Sequence, residues 1–397
     1  MLLVANLKRQ RETNQMKRSL FFVGSITLFV AGLLSAGTTP KTKEAELLET
    51  ATAAIKLENA TDAIIRAFDT HPIVMLGEIH GNKEEYQWLR ALVCTPKFAD
   101  RVDDIILEFG NSLYQKSVDR YIAGEEVPVD QVQKAWRNVV SAIGPVSPVY
   151  ASLYQAVRQA NLERRGKHQM RIVLGDPYGD WEKIKDREDL GPYVANRDQW
   201  YAQVVKDEVL AKHHRAFLIM GSMHFLRLNG PGPVEQELRS AGASPYLVVF
   251  GTNVVGGYDE LDKRFDSWPV PAIVSLSGNW AGELSALAVT SGGNAPITSN
   301  PLRLADAADA LLYLGPRDHL TQVSMPRSEL DGTPYGNEIA RRLMIQIGRQ
   351  VNFLSDQTER PQFQRPHPQA GKLSAPLPLP PPPEGMHDPL PPRPPSQ

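Results

Sequence analysis

Ile73-Val74-Met75-Leu76-Gly77-Glu78-Ile79-His80-Gly81 and Ala216-Phe217-Leu218-Ile219-Met220-Gly221-Ser222-Met223-His224-Phe225 are the two stretches that decide how this chain reads. Each is a short, unbroken apolar run that stops at a glycine and places a histidine just beyond it. Apolar runs without alternation mark strands buried on both faces, as in a parallel sheet covered by helices. The loops at the carboxyl ends of such strands are where open α/β sheets build their sites. Further runs at 105–107, 172–174, 246–250 and 310–314 read as strands, and helical spacing covers 44–68, 83–93, 150–162, 194–212, 234–240 and 336–350. The fold class is therefore α/β: a mainly parallel central sheet flanked by helices, with the site at the carboxyl ends of the strands. The recurring glycine stops predict sharp turns at φ values that glycine adopts easily. Asn82 is placed to cap the helix from Lys83, with Glu85 completing a capping box. Residues 251–300, rich in Gly, Ser, Asn and Trp, are expected to form an irregular insertion or lid.

The two ends read differently from this middle. Lys17 and Arg18 precede an apolar run from Leu20 to Leu34, and Ser35-Ala36 follow with small residues suited to cleavage. That order is the plan of a secretory signal, so residues 1–36 are expected to be a signal peptide or, uncleaved, an N-terminal anchor. The chain is then exported, periplasmic or secreted, and meets a membrane only through that segment. At the other end, 14 of the 32 prolines fall in residues 361–397. Proline fixes φ and supplies no amide donor, so residues 356–397 are expected to be a Pro-rich disordered tail able to dock a partner. One α/β domain spans 37–355.

Basic and acidic side chains nearly balance, 43 against 45, without the basic stripe of a nucleic-acid binder. The single cysteine, Cys94, excludes an internal disulfide and any multi-cysteine zinc site; it reads as a buried structural thiol. The Gly-x-Ser-x-Gly elbow, the phosphate loop and the His-Glu-x-x-His helix are all missing from these strands. Serine-nucleophile hydrolysis thus has little support, and an activated water fits better.

The candidate catalytic residues are Glu78, His80, Glu108 and His224. If extended geometry continues through the first turn, Glu78 and His80 face one cavity, where a carboxylate can hold an imidazole tautomer and raise its basicity. Glu108 follows Ile105-Ile106-Leu107, a setting in which a carboxylate needs a partner. His224 and Arg227, three residues apart on a helical turn, would share a face. Arg227, Asp176 and Arg197 are the expected substrate-binding residues.

Leu76-Gly77-Glu78-Ile79-His80, Leu107-Glu108-Phe109 and Gly221-Ser222-Met223-His224, in that order, resemble the superfamily of erythromycin-esterase-like hydrolases, ChaN-like haem-binding proteins and Tiki/TraB proteins. Gly77-Glu78-Ile79-His80 is most similar to the ChaN-like and Tiki/TraB form, because erythromycin esterases carry one more residue between glutamate and histidine. The resemblance covers roughly residues 70–250 and implies an α/β fold with a site built from Glu78, His80, Glu108 and His224. Three readings follow. His80 acts as general base on water, with His224 and Arg227 stabilising the oxyanion of an ester, lactone or amide. Alternatively His80, His224, Glu78 and Glu108 share a divalent metal that activates the water. From a different class, the chain is a non-catalytic binder of haem or another small ligand. Hydrolysis of a small-molecule or peptide substrate is the favoured expectation.

Overall fold

The computed structural model describes residues 55–141, 147–228, 230–250, 265–284, 286, 302–316, 319–348 and 358–361. The expected signal segment, most of the expected 356–397 tail and much of 251–300 lie outside these residues; the start of that tail departs from the expected disorder, because Glu359–Pro361 pairs antiparallel with Thr321–Val323. Among the described residues no helix is long and apolar enough to cross a membrane.

An eight-stranded, mostly parallel sheet organises the domain. Its strands are β1 (Glu58–Asn59), β2 (Ile73–Glu78), β3 (Asp104–Asn111), β4 (Arg171–Asp176), β5 (Ala216–Gly221), β6 (Tyr246–Phe250), β7 (Ala272–Ser275) and β8 (Ala310–Tyr313). They lie in the order β1-β7-β8-β6-β2-β5-β3-β4. The six strands from β8 to β4 run parallel, whereas β7 pairs antiparallel with β8 and β1 antiparallel with β7. All six apolar runs read from the sequence are strands, and β2, β3 and β5 are buried along their whole length. Both faces of these strands are buried, and the face carrying Val74, Leu76, Leu107, Phe217 and Ile219 packs with flanking helices into one apolar core. Trp88, Leu89 and Leu92 of the helix Lys83–Val93 and Leu153, Tyr154 and Val157 of the helix Val149–Glu163 belong to that core.

Several expectations change in detail. Ala272–Ser275, inside the stretch expected to be irregular, is a sheet strand, its short Ala-Ile-Val run hidden among Gly, Ser and Trp. The helix read over 194–212 is broken: a separate helix, Arg187–Val194, ends where it was expected to begin, and the stretch itself forms a helix at Arg197–Glu208 and a 3-10 turn at Leu210–Lys212. Helices Gln115–Ile122 and Val129–Arg137 were not read from the sequence at all. Asn82 does cap its helix, accepting the Glu85 amide at 2.7 Å. Glu85, however, accepts the amide of Ile79 at 2.9 Å and not that of Asn82, so the predicted box is replaced by a longer reach back into the turn.

The strand-end glycines are explained by crowding, not by φ. Gly77, Gly110, Gly175 and Gly221 are all outside the set with positive φ. A Cβ on each would lie 2.8 Å from a neighbouring atom: Ser222 Oγ at Gly77, Leu174 Cδ2 at Gly110, the Leu107 carbonyl at Gly175 and His80 Cε1 at Gly221. Backbone rotation is decisive one step later, at Gly81 (φ 76°), which turns the chain from His80 into the helix.

Candidate functional site

The two motif strands are neighbours, with Glu78 of β2 opposite Gly221 of β5, and β3 lies on the other side of β5. That order is what brings the dispersed residues together. The His80 ring leans from β2 across the bare Gly221 toward Glu108 of β3, with Nε2 4.0 Å from Glu108 Oε2. Its Nδ1 lies 2.7 Å from Glu78 Oε1, and its edge stands on Phe109, ring centroids 4.9 Å apart. Phe109 in turn stacks on Tyr150. His224 approaches the other Glu108 oxygen, Nε2 to Oε1 at 3.3 Å, while its Nδ1 meets Asp198 at 2.5 Å. One buried carboxylate thus faces two imidazoles. Its Oε2 also accepts the Gly221 amide at 2.7 Å.

Behind this row lie groups that hold it. Tyr86 donates to Glu78 Oε2 at 2.5 Å, leaving both oxygens of that buried carboxylate engaged. Arg197 reaches Glu108 Oε1 at 3.4 Å and Asp176 at 2.9 Å, and Tyr201 donates to the same Asp176 oxygen at 3.2 Å. Arg197, Asp198 and Tyr201 come from one helix, whose first turns deliver a cation, a carboxylate and a phenol to the strand ends. The side chains of Glu78, Glu108 and Asp176 are almost wholly buried, while that of His80 keeps 47% of its surface open. His80 is therefore the member of the cluster that solvent or a substrate can reach.

Charge within the cluster follows from these contacts. Burial alone would raise Glu108, but His224, His80 and Arg197 hold it well below the ordinary carboxylate range. Burial would lower His224, yet the Glu108 charge and the Asp198 hydrogen bond lift it to about 9. His80 is also raised: burial pulls it down, and Glu108 and the Glu78 hydrogen bond outweigh that. Asp176 is raised by burial, against the opposing pull of Arg197.

All four expected catalytic residues therefore meet, and Arg197 and Asp176 join them. Asp176 is fully buried and serves Arg197 and the Val140 amide, so it supports the site from behind and does not face a substrate. Arg227 does not join the cluster. The chain turns after His224, and Arg227 instead lies between Glu235 and Asp309, with bonds of 2.8 to 3.1 Å to both. The helical-face expectation fails because Ser222–His224 is a single 3-10 turn that goes no further. Arg227→Ala is accordingly expected to leave turnover unchanged while costing about 1–3 kcal/mol in denaturant unfolding, since Glu235 is fully buried and keeps only Arg239. The expected metal set meets as carboxylate–imidazole pairs. Among the described residues no three His, Cys, Asp or Glu form a group able to hold a metal ion. Cys94, expected to be buried, caps the carboxyl end of the helix Lys83–Val93 and is half-buried there, its thiol pushed up to about 12 chiefly by burial. Sequence reasoning missed Tyr86, Tyr150 and Tyr201, whose roles depend on packing; the only local signal was the i, i+4 spacing of Arg197 and Tyr201.

No family model matches this chain, and no curated protein does. Among solved structures it is similar to a protein from Bacillus cereus, at 13% identity over 70% of this chain and 98% of that one, with a TM-score of 0.42. It is also similar to a mutant of the erythromycin esterase EreC in its open conformation, at 11% identity over 64% of this chain and 92% of that one, with a TM-score of 0.39.

Proposed function

We propose that this chain is a hydrolase that activates water at the carboxyl edge of its sheet and cleaves an ester, lactone or amide of a small molecule or peptide. The observation that carries the reading is the pairing of two imidazoles on one buried carboxylate, with only one of the rings widely open to solvent. His80, its Nδ1 held by Glu78, presents Nε2 as the general base that takes a proton from water. His224, lifted to about 9 and hence protonated at neutral pH, supplies positive charge where an oxyanion develops. Arg197, bound to Glu108 and Asp176, takes the cationic role the sequence had suggested for Arg227. Glu108 couples the two rings and keeps their protonation states linked.

This division of labour fixes a pH profile. The base must be unprotonated, so activity rises through the pKa of His80, which lies above 6.5. The acid must be protonated, so activity falls again at about 9, as His224 loses its proton. A bell-shaped kcat/KM profile on p-nitrophenyl acetate checks this. A profile that rises without an alkaline fall would remove His224 from the mechanism. Chelation separates the two forms of the proposal: activity that survives it belongs to the imidazole–carboxylate set alone. The charged, apolar and small-residue pattern of residues 17–36 supports action after export, on a substrate outside the cytoplasm.

A further inference from the structure

Glu85 is a buried acid that the mechanism above does not use. It sits in the first turn of the helix Lys83–Val93 and is fully buried. Its backbone amide is tied to Asn82, and its Oε2 accepts the amide of Ile79 at 2.9 Å. Ile79 is the residue between Glu78 and His80, so this one bond fixes the peptide that joins the orienting carboxylate to the base. The other oxygen, Oε1, is buried with no hydrogen-bond partner among the described residues.

A carboxylate cannot remain ionised in that position without a counter-charge. Glu78 is the neighbouring acid, and the claims on it are stronger: Tyr86 donates to one of its oxygens and the His80 ring meets the other. When two acids share a dry space, the one with donors keeps the charge and the other keeps the proton. Glu85, with a single amide donor, is the one that keeps the proton. Burial and the Glu78 charge push it in that direction, against the single pull of the Ile79 amide.

We infer that Glu85 is a positioning residue for His80: a neutral carboxylic acid that clamps the Ile79 amide and so sets the direction of the ring without adding charge beside it. The inference rests on the reading of His80 as a base, but its physical core, a protonated Glu85 bound to the turn, stands apart from any activity. A neutral acid suits the place. A second carboxylate there would hold a proton on His80 more tightly and weaken it as a base at neutral pH, whereas a neutral clamp orients the ring at no such cost.

The test compares Glu85→Gln with Glu85→Ala in the full-length protein, using p-nitrophenyl acetate as the ester probe. Glutamine is neutral and offers the same carbonyl oxygen to Ile79. Its kcat is expected within about 3-fold of the parent, with the pH profile unmoved. Alanine releases the turn, and kcat is expected to fall about 100-fold with KM little changed, the scale of a misplaced catalytic group. Infrared spectra at pH 7 supply the second measurement: a protonated-carboxyl band in the parent should vanish in Glu85→Gln. Glutamine as damaging as alanine, an acid limb shifted by glutamine, or no carboxyl band lost in Glu85→Gln would each overturn the inference. If the parent does not hydrolyse the probe, the hydrolase reading fails, and the infrared band alone decides whether Glu85 is the neutral clamp.

Discussion

His80→Ala should lower hydrolysis by about 10² to 10⁴-fold, the range that general-base assistance supplies, while the protein keeps its fold. The ring is the most open member of the cluster, with 47% of its side-chain surface accessible, so its removal leaves no sealed cavity. It does leave Glu78 with Tyr86 as its remaining donor, a deficit that water entering through the vacated opening can fill. Thermal unfolding should therefore move little while kcat falls. Steady-state kinetics on p-nitrophenyl acetate, beside a melting curve of the same preparation, is the measurement. A variant with unaltered kcat would remove the base from the proposed reaction. One that loses activity only in proportion to its unfolding would reduce His80 to a structural residue.

Glu108→Gln is expected to have the largest effect on stability and to change the pH dependence as well. Glu108 is buried against two imidazoles and Arg197, and its anionic form raises both imidazoles and pairs with the guanidinium. Removing one partner of a buried charge set typically costs about 3–5 kcal/mol, because the remaining charges stay in place without compensation. Glutamine also turns a donor toward either Gly221 N–H or an imidazole, where an acceptor is required. The pH dependence supplies the sign. A histidine raised in the folded state stabilises it fully below its unfolded pKa, near 6.5, and that contribution is lost as pH rises through the folded value. For His224 the window runs from about 6.5 to about 9. The parent protein should lose up to about 3 kcal/mol across it. In Glu108→Gln that loss should shrink, and the alkaline limb of the activity profile should move to lower pH. Urea unfolding at a series of pH values checks both. An unchanged slope across the window would mean that Glu108 is not what holds the proton on His224.

Much of the scaffold was legible because a buried parallel strand has a one-dimensional signature. Ile73 to Leu76 and Ala216 to Met220 are apolar at every position, and no helix or exposed strand requires that pattern. The catalytic candidates were legible for a related reason. Glu78, His80, Glu108 and His224 are polar residues directly at or after such runs, and in an open α/β sheet those positions share one edge whatever the strand order. Arg227 marks where this reasoning stops. Its distance from His224 along the chain was right for a shared helical face, but only the end of the 3-10 turn decides whether such a face exists. β7 was invisible because three apolar residues in an antiparallel edge region carry too little pattern to stand out from the Gly, Ser and Trp around them.

The sequence by itself determined an α/β domain, the identity of its six parallel strands and the four side chains that gather at their ends, because hydrophobic periodicity and the polar break after it are local properties. Tertiary structure alone decided that β5 lies between β2 and β3, that a missing Cβ at Gly221 lets His80 reach toward Glu108, and that Glu85 turns back to Ile79. Those facts depend on which strands become neighbours and on which buried charges find partners. The strand order and the contacts of Glu108 join segments more than a hundred residues apart, and even the short reach from Glu85 to Ile79 depends on the path of the turn between them, which no run of residue types encodes.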